Sequence, residues 1–383
     1  MTGEATSWFP VAMSTVAAAV LCQIGGGAAY ATEDRENDDR GHSHAGAIYT
    51  LTNEAQANAV VAFSRSARGT LSHPRRFATG GRGTGSGLGS QGAIALSRNG
   101  SWLFAVNAGS DDISVFSVRG TELRLAHRSS SGGSMPISVT SHRNLVFVLN
   151  ASGTGNIAGF TVAGSGALRP LPDAVRSLSG PNAGPAQISF SPDGQSLVVT
   201  EKNTGLLDLY SIGDDGSVSE AVQVPSNGET PFGFSFTRRG LLIVSEAFGG
   251  RDGESAVSTY QLEEEVQPIS VSVPDHQTAA CWIAVTRNGR FAYTTNTGSG
   301  TVSGYFVSSC GTLSLLNADG LTASTGDGSN PTDMALSADS SFLYALGSGN
   351  GTLSAFRVMD DGGLTSMGQV GGLPTSVVGL DGR

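Results

Sequence analysis

One motif starts seven times along the chain and limits every other reading. A short apolar run opens at or beside a proline and ends in a polar turn. A second apolar run then closes on Asn, Glu or Gly. The starts are QGAIALSRNG at Gln91, PISVTSHRN at Pro136, PAQISFSPDG at Pro185 and PFGFSFTRRG at Pro231. ACWIAVTRNG at Ala280, PTDMALSADS at Pro331 and PTSVVGL at Pro374 complete the series. Successive starts lie 45, 49, 46, 49, 51 and 43 residues apart. That period matches one four-stranded propeller blade.

Each unit has the same parts. Turns such as Arg98-Asn99-Gly100 and Pro192-Asp193-Gly194 use residues that tolerate positive φ or bond their own backbone. Second strands read WLFAVN, LVFVLN, SLVVTE, LLIVSE, FAYTTN and FLYALG. Third strands follow a Gly/Ser/Asn turn, and a ragged fourth strand closes the unit. Near-continuous apolar runs suit strands covered on both faces. The 54 glycines and 14% charged residues fit short strands joined by tight turns. The last unit, Pro374 to Leu380, is a first strand with nothing after it. The first segment, Ile48 to about Thr79, supplies second, third and fourth strands with no first. The two ends make one composite blade. The expected fold is all-β: a seven-bladed β-propeller of four-stranded antiparallel blades, closed by the C-terminal strand. Closure removes the exposed edges of an open array.

The propeller is expected over 46–383, preceded by a signal peptide over 1–31 and a charged linker over 32–45. Val11 to Leu21 is an apolar run too short to span a bilayer, and Ala29-Tyr30-Ala31 offers a cleavage site. The run lacks a preceding Lys or Arg, so Met13 is an alternative start. These features point to a periplasmic or secreted protein without membrane insertion. The net charge of −10, with no basic block, argues against nucleic acid. Cys281 and Cys310 fall at opposite ends of their strands, beyond disulfide reach. His42 and His44 read as part of the solvated linker.

The P-x-x-(I/V)-x-x-S-x-(D/N)-G…LYV-x-N pattern resembles the seven-bladed lactonase propellers, a family that includes 6-phosphogluconolactonase-like and carboxymuconate-cyclising proteins. It is also similar to YVTN-type surface propellers. The resemblance covers Gly46 to Leu380 and implies a site on one face, near the central channel. Enzymatic members carry Gly-Pro-Arg-His at the start of a first strand and a glutamate after the second strand of that blade. The matching residues are Gly184-Pro185-Ala186-Gln187 and Glu201. The arginine and histidine are replaced.

Two rings meet at the rim where first strands begin. The third residues of first strands are Ala93, Ser138, Gln187, Gly233, Trp282, Asp333 and Ser376. The ends of second strands are Asn53, Asn107, Asn150, Glu201, Glu246, Asn296 and Gly347. Asn suits turn chemistry there. Glu does not, so Glu201 and Glu246 are the expected acid/base pair. The alternative is two solvated rim carboxylates partnered by Lys202 or Arg251. His276 is expected in a rim loop as a third catalytic group. Cys281 would need His276 as its base to act as a nucleophile. Gln187, Lys202, Arg251, Asp333, Trp282 and Asn296 are expected to hold substrate. The Gly80–Gly89 string lacks the Lys-Ser/Thr and helix of a phosphate loop and reads as a mobile loop.

The expected activity is lactone hydrolysis or a related cyclisation of a carboxylated small molecule, in a monomer and without cofactor. One alternative is a divalent cation at the channel rim, held by Glu201, Asn150, Asn107 and Asp333. Another is a non-catalytic binding or scaffold propeller using the same face.

Overall fold

The computed structural model describes residues 45–383, apart from residue 264. The expected leader and almost all of the linker lie outside these residues. Among the described residues the strands form seven antiparallel sheets, arranged as blades. Blade 1 is composite, in the order Val378–Gly382, Gly46–Leu51, Ala59–Arg65, Leu71–Ala78. Blades 2 to 7 then run in chain order, starting with the first strands Ile94–Leu96, Pro136–His142, Pro185–Phe190, Pro231–Phe236, Ala280–Val285 and Pro331–Leu336. Blade 6 breaks its fourth strand into Leu313–Leu315 and Ala323–Ser324, both paired with Thr301–Val307.

The second strands carry the core. Leu241–Glu246, Phe291–Asn296 and Phe342–Gly347 are buried at every position. Both faces of these strands pack on neighbouring blades, which explains the unbroken apolar runs. Each large side chain taken out of water stabilises the ring by about 1.5–3 kcal/mol. Fourth strands face solvent, and in Glu122–Ser130 only Leu123 is buried.

Tyrosines staple one blade to the next. The Tyr293 hydroxyl donates to the Gly362 carbonyl at 2.8 Å, Tyr344 donates to Gly69 at 2.7 Å, and Tyr49 donates to Gly120. The polar turns close as their residue types require. Ser191 Oγ donates to Asp193 Oδ1 at 2.6 Å, the Gln195 amide donates to the same oxygen, and Gly194 takes φ +78°.

The closing strand sits four residues later than the sequence suggests. Pairing runs over Val378–Gly382, and the chain from Pro374 first makes a turn in which the Val377 amide donates to the Pro374 carbonyl at 3.1 Å. That turn takes up Pro374 to Val377, so the ladder with Gly46–Leu51 begins at Val378.

Candidate functional site in the central channel

The rim expected to hold substrate is closed. Ala186, Phe232, Ala247, Cys281 and Trp282 form a buried apolar cluster there. Phe232 and Trp282 pack with ring centroids 5.0 Å apart, and Trp282 Nε1 donates to the Ser90 carbonyl at 3.0 Å. Gln91 lies across the channel. Its Nε2 donates to the Ile283 carbonyl at 3.0 Å, and its Oε1 accepts from the Ile283 amide at 3.2 Å. Ile283 belongs to blade 6, three blades round the ring. Gln91 stands where five of the seven units have proline, the one sequence sign of its role.

The Gly80–Gly89 string is fastened rather than loose. The Gly83 and Gly85 amides donate to Glu54 and Asn53 carbonyls, Leu88 is buried, and Lys202 Nζ donates to the Gly89 carbonyl at 2.5 Å. Lys202 also donates to Pro185 and lies 4.7 Å from the Phe232 ring centroid. Burial lowers its ammonium to about 8. Lys202 is therefore a clasp on this segment and does not partner a rim carboxylate.

Glu201 and Glu246 sit at the ends of their second strands in adjacent blades, as the sequence suggests. Both are fully buried, so neither is a solvated rim carboxylate. Glu201 accepts from the Ser179 amide at 2.9 Å, from Ser179 Oγ, and from Thr204 Oγ1 at 2.6 Å. Glu246 accepts from the Gly228 amide at 2.9 Å, Ser258 Oγ at 2.5 Å and Ser272 Oγ at 2.6 Å. Burial still raises the Glu246 carboxyl. These partners all lie in the same blade or in its entry loop.

The slot beside each ring residue explains the substitution. Asn107 Nδ2 donates to Ser114 Oγ, and Asn296 Nδ2 to Ser303 Oγ, both at 2.8 Å. Register places Ser258, Ser354 and Asp208 at that same point of their third strands. Blade 4 thus replaces an Asn–Ser pair by Glu201 and Asp208. Neither oxygen of Asp208 receives a hydrogen bond. Burial and the facing Glu201 push its carboxyl up to about 8.

The other expected residues scatter. His276 is exposed on the loop into blade 6, with φ +59°. Arg251 is exposed and paired with Glu229 at 2.9 Å and Glu254 at 2.5 Å, so it does not reach Glu246. Asn296 is fully buried and spends its amide on Thr301 and Ser303. Cys281 is a free buried thiol, not bridged to Cys310. Burial pushes it up to about 12, away from the thiolate a nucleophile needs. Gln187 braces the next blade. Its Nε2 donates to the Phe234 carbonyl at 3.0 Å and its Oε1 accepts from the Phe234 amide at 2.7 Å.

An open space lies on the other side of the Gln91 plug. A cavity of about 320 Å³ fills the channel towards the face where first strands end. Gln91, Gln187, Ser189, Ser235, Asp333 and Asp381 are among its lining residues. Arg98 and Arg238, on the turns that end the first strands of blades 2 and 5, line an adjoining pocket at the same end of the channel, which shares Gln91, Gln187, Ser189 and Ser235 with this cavity. Asp333 is 1% exposed, accepts from the Met334 and Leu380 amides, and is held well above the usual carboxylate range by burial. Asp381 is partly exposed and accepts from the Leu96 amide at 2.7 Å and the Gly382 amide at 2.7 Å. Burial raises it to about 6. Both carboxyls in this cavity are thus raised by burial, Asp381 to about 6 and Asp333 well above the usual carboxylate range. Of these groups the sequence reading selected Asp333 and Gln187. Asp381 lies one residue past the last repeat segment, and the two arginines look like ordinary turn residues.

Among the described residues no cluster of three or more His, Cys, Asp or Glu side chains is placed to hold a metal. The expected cation ligands divide between the interior of the blades (Asn107, Asn150, Glu201) and the channel wall (Asp333).

Residues 42–180 match the family model described as lactonase, 7-bladed beta-propeller. No curated protein matches. Several solved structures share the architecture. A Bacteroides fragilis protein described as a candidate 6-phosphogluconolactonase is 16% identical, with a TM-score of 0.71 over 90% of this chain and 100% of its own. The periplasmic gluconolactonase of Pseudomonas aeruginosa is 16% identical, with a TM-score of 0.70 over 88% of this chain and 98% of its own. Hydrazine synthase of Kuenenia stuttgartiensis is also similar, at 16% identity and a TM-score of 0.56 over 81% of this chain and 94% of its own. The resemblance to lactonase propellers thus holds in sequence over residues 42–180 and in fold over the propeller.

Proposed function

We propose that this lactonase-like propeller is an exported hydrolase that opens a lactone bearing a negative charge, and that the reaction takes place in the turn-face cavity of the channel. The observation that carries this reading is the pair Asp333 and Asp381 in one open cavity with Arg98 and Arg238 in the adjoining pocket. The arginines would hold the anionic end of the substrate by charge-assisted hydrogen bonds. Asp381, raised to about 6, is ionised at pH 7 yet basic enough to take a proton from water. That water attacks the ring carbonyl, and the ring C–O bond breaks. Asp333, whose burial favours the protonated form, supplies the proton to the leaving oxygen. Transfer of the proton from Asp381 to Asp333 restores the site. The sum is lactone plus water to hydroxy acid.

The family match over residues 42–180 supports the reaction class. The fold likeness to a periplasmic gluconolactonase agrees with the leader-like N-terminus. Propellers host unrelated chemistries, so the site has to carry the argument.

The test is acid release from a panel of lactones. Asp381→Asn is expected to lower kcat by about 10²–10⁴-fold. Arg98→Gln with Arg238→Gln is expected to raise KM for charged lactones and spare neutral ones. A second reading is favoured by the fastened rim and the braced inner strands: a binding module that holds an anion in the same cavity without chemistry. Tight ligand capture with no turnover on any lactone would select it.

A further inference from the structure

A second cavity opens on the turn face, between blades 5 and 6, with a volume of about 380 Å³. Arg238 and Arg239 come from the first turn of blade 5, and Arg287 and Arg290 from the first turn of blade 6. Both turns are closed by their own hydrogen bonds. The Leu241 amide donates to Thr237 Oγ1 and the Gly240 amide to the Thr237 carbonyl. Thr286 Oγ1 donates to Asn288 Oδ1 at 2.8 Å, and the Arg290 amide donates to the same oxygen at 3.0 Å. Four arginines from two neighbouring turns thus line one cleft. Arg287 Nη1 also reaches the Ala338 carbonyl of blade 7 at 3.5 Å, and the Arg290 guanidinium lies 5.3 Å from the Phe291 ring centroid, so each keeps N–H donors for a ligand.

None of the four has an ion-pair partner among the described residues. The ion-paired arginines there are Arg75, Arg76, Arg128, Arg176 and Arg251. Glu263 and Glu265 lie on the outer turn of blade 5, but they neither line the cleft nor pair with its arginines. The chain as a whole carries −10, so four uncompensated cations in one cleft run against its own balance. Leu241, Val307 and Phe306, the last 38% exposed, give the cleft an apolar wall. Guanidinium forks match the paired oxygens of phosphate and carboxylate.

We propose that this cleft binds a compact small molecule carrying at least two anionic charges, a phosphate ester or a polycarboxylate, at a site separate from the channel. Arg287 and Arg290 are its distinguishing ligands, because Arg238 also borders the channel mouth.

Calorimetric titration at low ionic strength tests this, with inorganic pyrophosphate and citrate as probes. Wild type should bind at least one probe saturably. Arg287→Gln with Arg290→Gln should weaken that binding about tenfold or more, and Arg98→Gln should leave it unchanged. Affinity should fall as ionic strength rises to about 0.15 M. Pyrophosphate alone would point to a phosphate ester, and citrate alone to a polycarboxylate. No saturable binding, or equal affinity in wild type and the double variant, overturns the proposal. Weakening by Arg98→Gln alone assigns the anion to the channel and also overturns it. Exposed turn arginines can be replaced without disturbing the core, and a melting curve of each variant checks that. Lactone turnover is a separate readout, so failure here leaves the channel reading standing.

Discussion

Asp208 is a buried acid placed where four sister blades have serine. Its carboxyl titrates at about 8 in the folded chain, against about 4 when unfolded. Below about pH 4 both states hold the proton and nothing is lost. Between about 4 and 8 the unfolded chain releases it while the fold keeps it, so stability falls as pH rises. Asp208→Ser should remove this slope and raise stability at pH 9 by on the order of a few kcal/mol, with little change at pH 4. Urea unfolding at both pH values checks it, and an equal gain at both would refute the account. The sequence reading found Glu201 through its departure from the Asn ring. It missed Asp208, because the partner is defined by third-strand register and not by the motif. The alternative of a solvated Glu201 fails because the Ser179 and Thr204 hydroxyls fold over the strand end, which sequence spacing does not reveal.

Blades hold together through second-strand tyrosines and third-turn glycines. Gly362 has φ +87°, and a Cβ there would meet the Phe291 ring at 2.5 Å. Gly362→Ala should therefore cost about 1–3 kcal/mol through backbone strain and the clash. Tyr293→Phe removes only the hydrogen bond to that turn and should cost about 1 kcal/mol. Chemical denaturation of both variants checks the order, and a milder effect for Gly362→Ala would contradict it. Strand order and turn chemistry were legible because each rests on neighbours in sequence, and the composite blade because the repeat leaves a lone first strand at one end and lacks one at the other. The Gln91 plug was not, because its partner Ile283 lies 192 residues away. The Gly80–Gly89 segment misled for the same reason: its clasp, Lys202, belongs to blade 4.

At the scale of the whole molecule, the ring has one closed end and one open end. Its closure depends on Val378–Gly382 pairing with Gly46–Leu51. A chain ending before Val378 should expose that strand edge and lose cooperative melting, which circular dichroism would detect. The open end gathers Asp333, Asp381, Arg98 and Arg238, and the closed end buries the groups that the motif alone would nominate. The most direct test of this polarity is acid release from charged lactones by wild type, Asp381→Asn, and Glu201→Gln with Glu246→Gln, measured across pH. The account predicts a wild-type rate that rises through about pH 6 to a plateau and collapses in Asp381→Asn, with the double glutamine variant retaining turnover wherever it remains folded. Full activity in Asp381→Asn, with loss confined to a folded glutamine variant, would contradict it and return the chemistry to the rim.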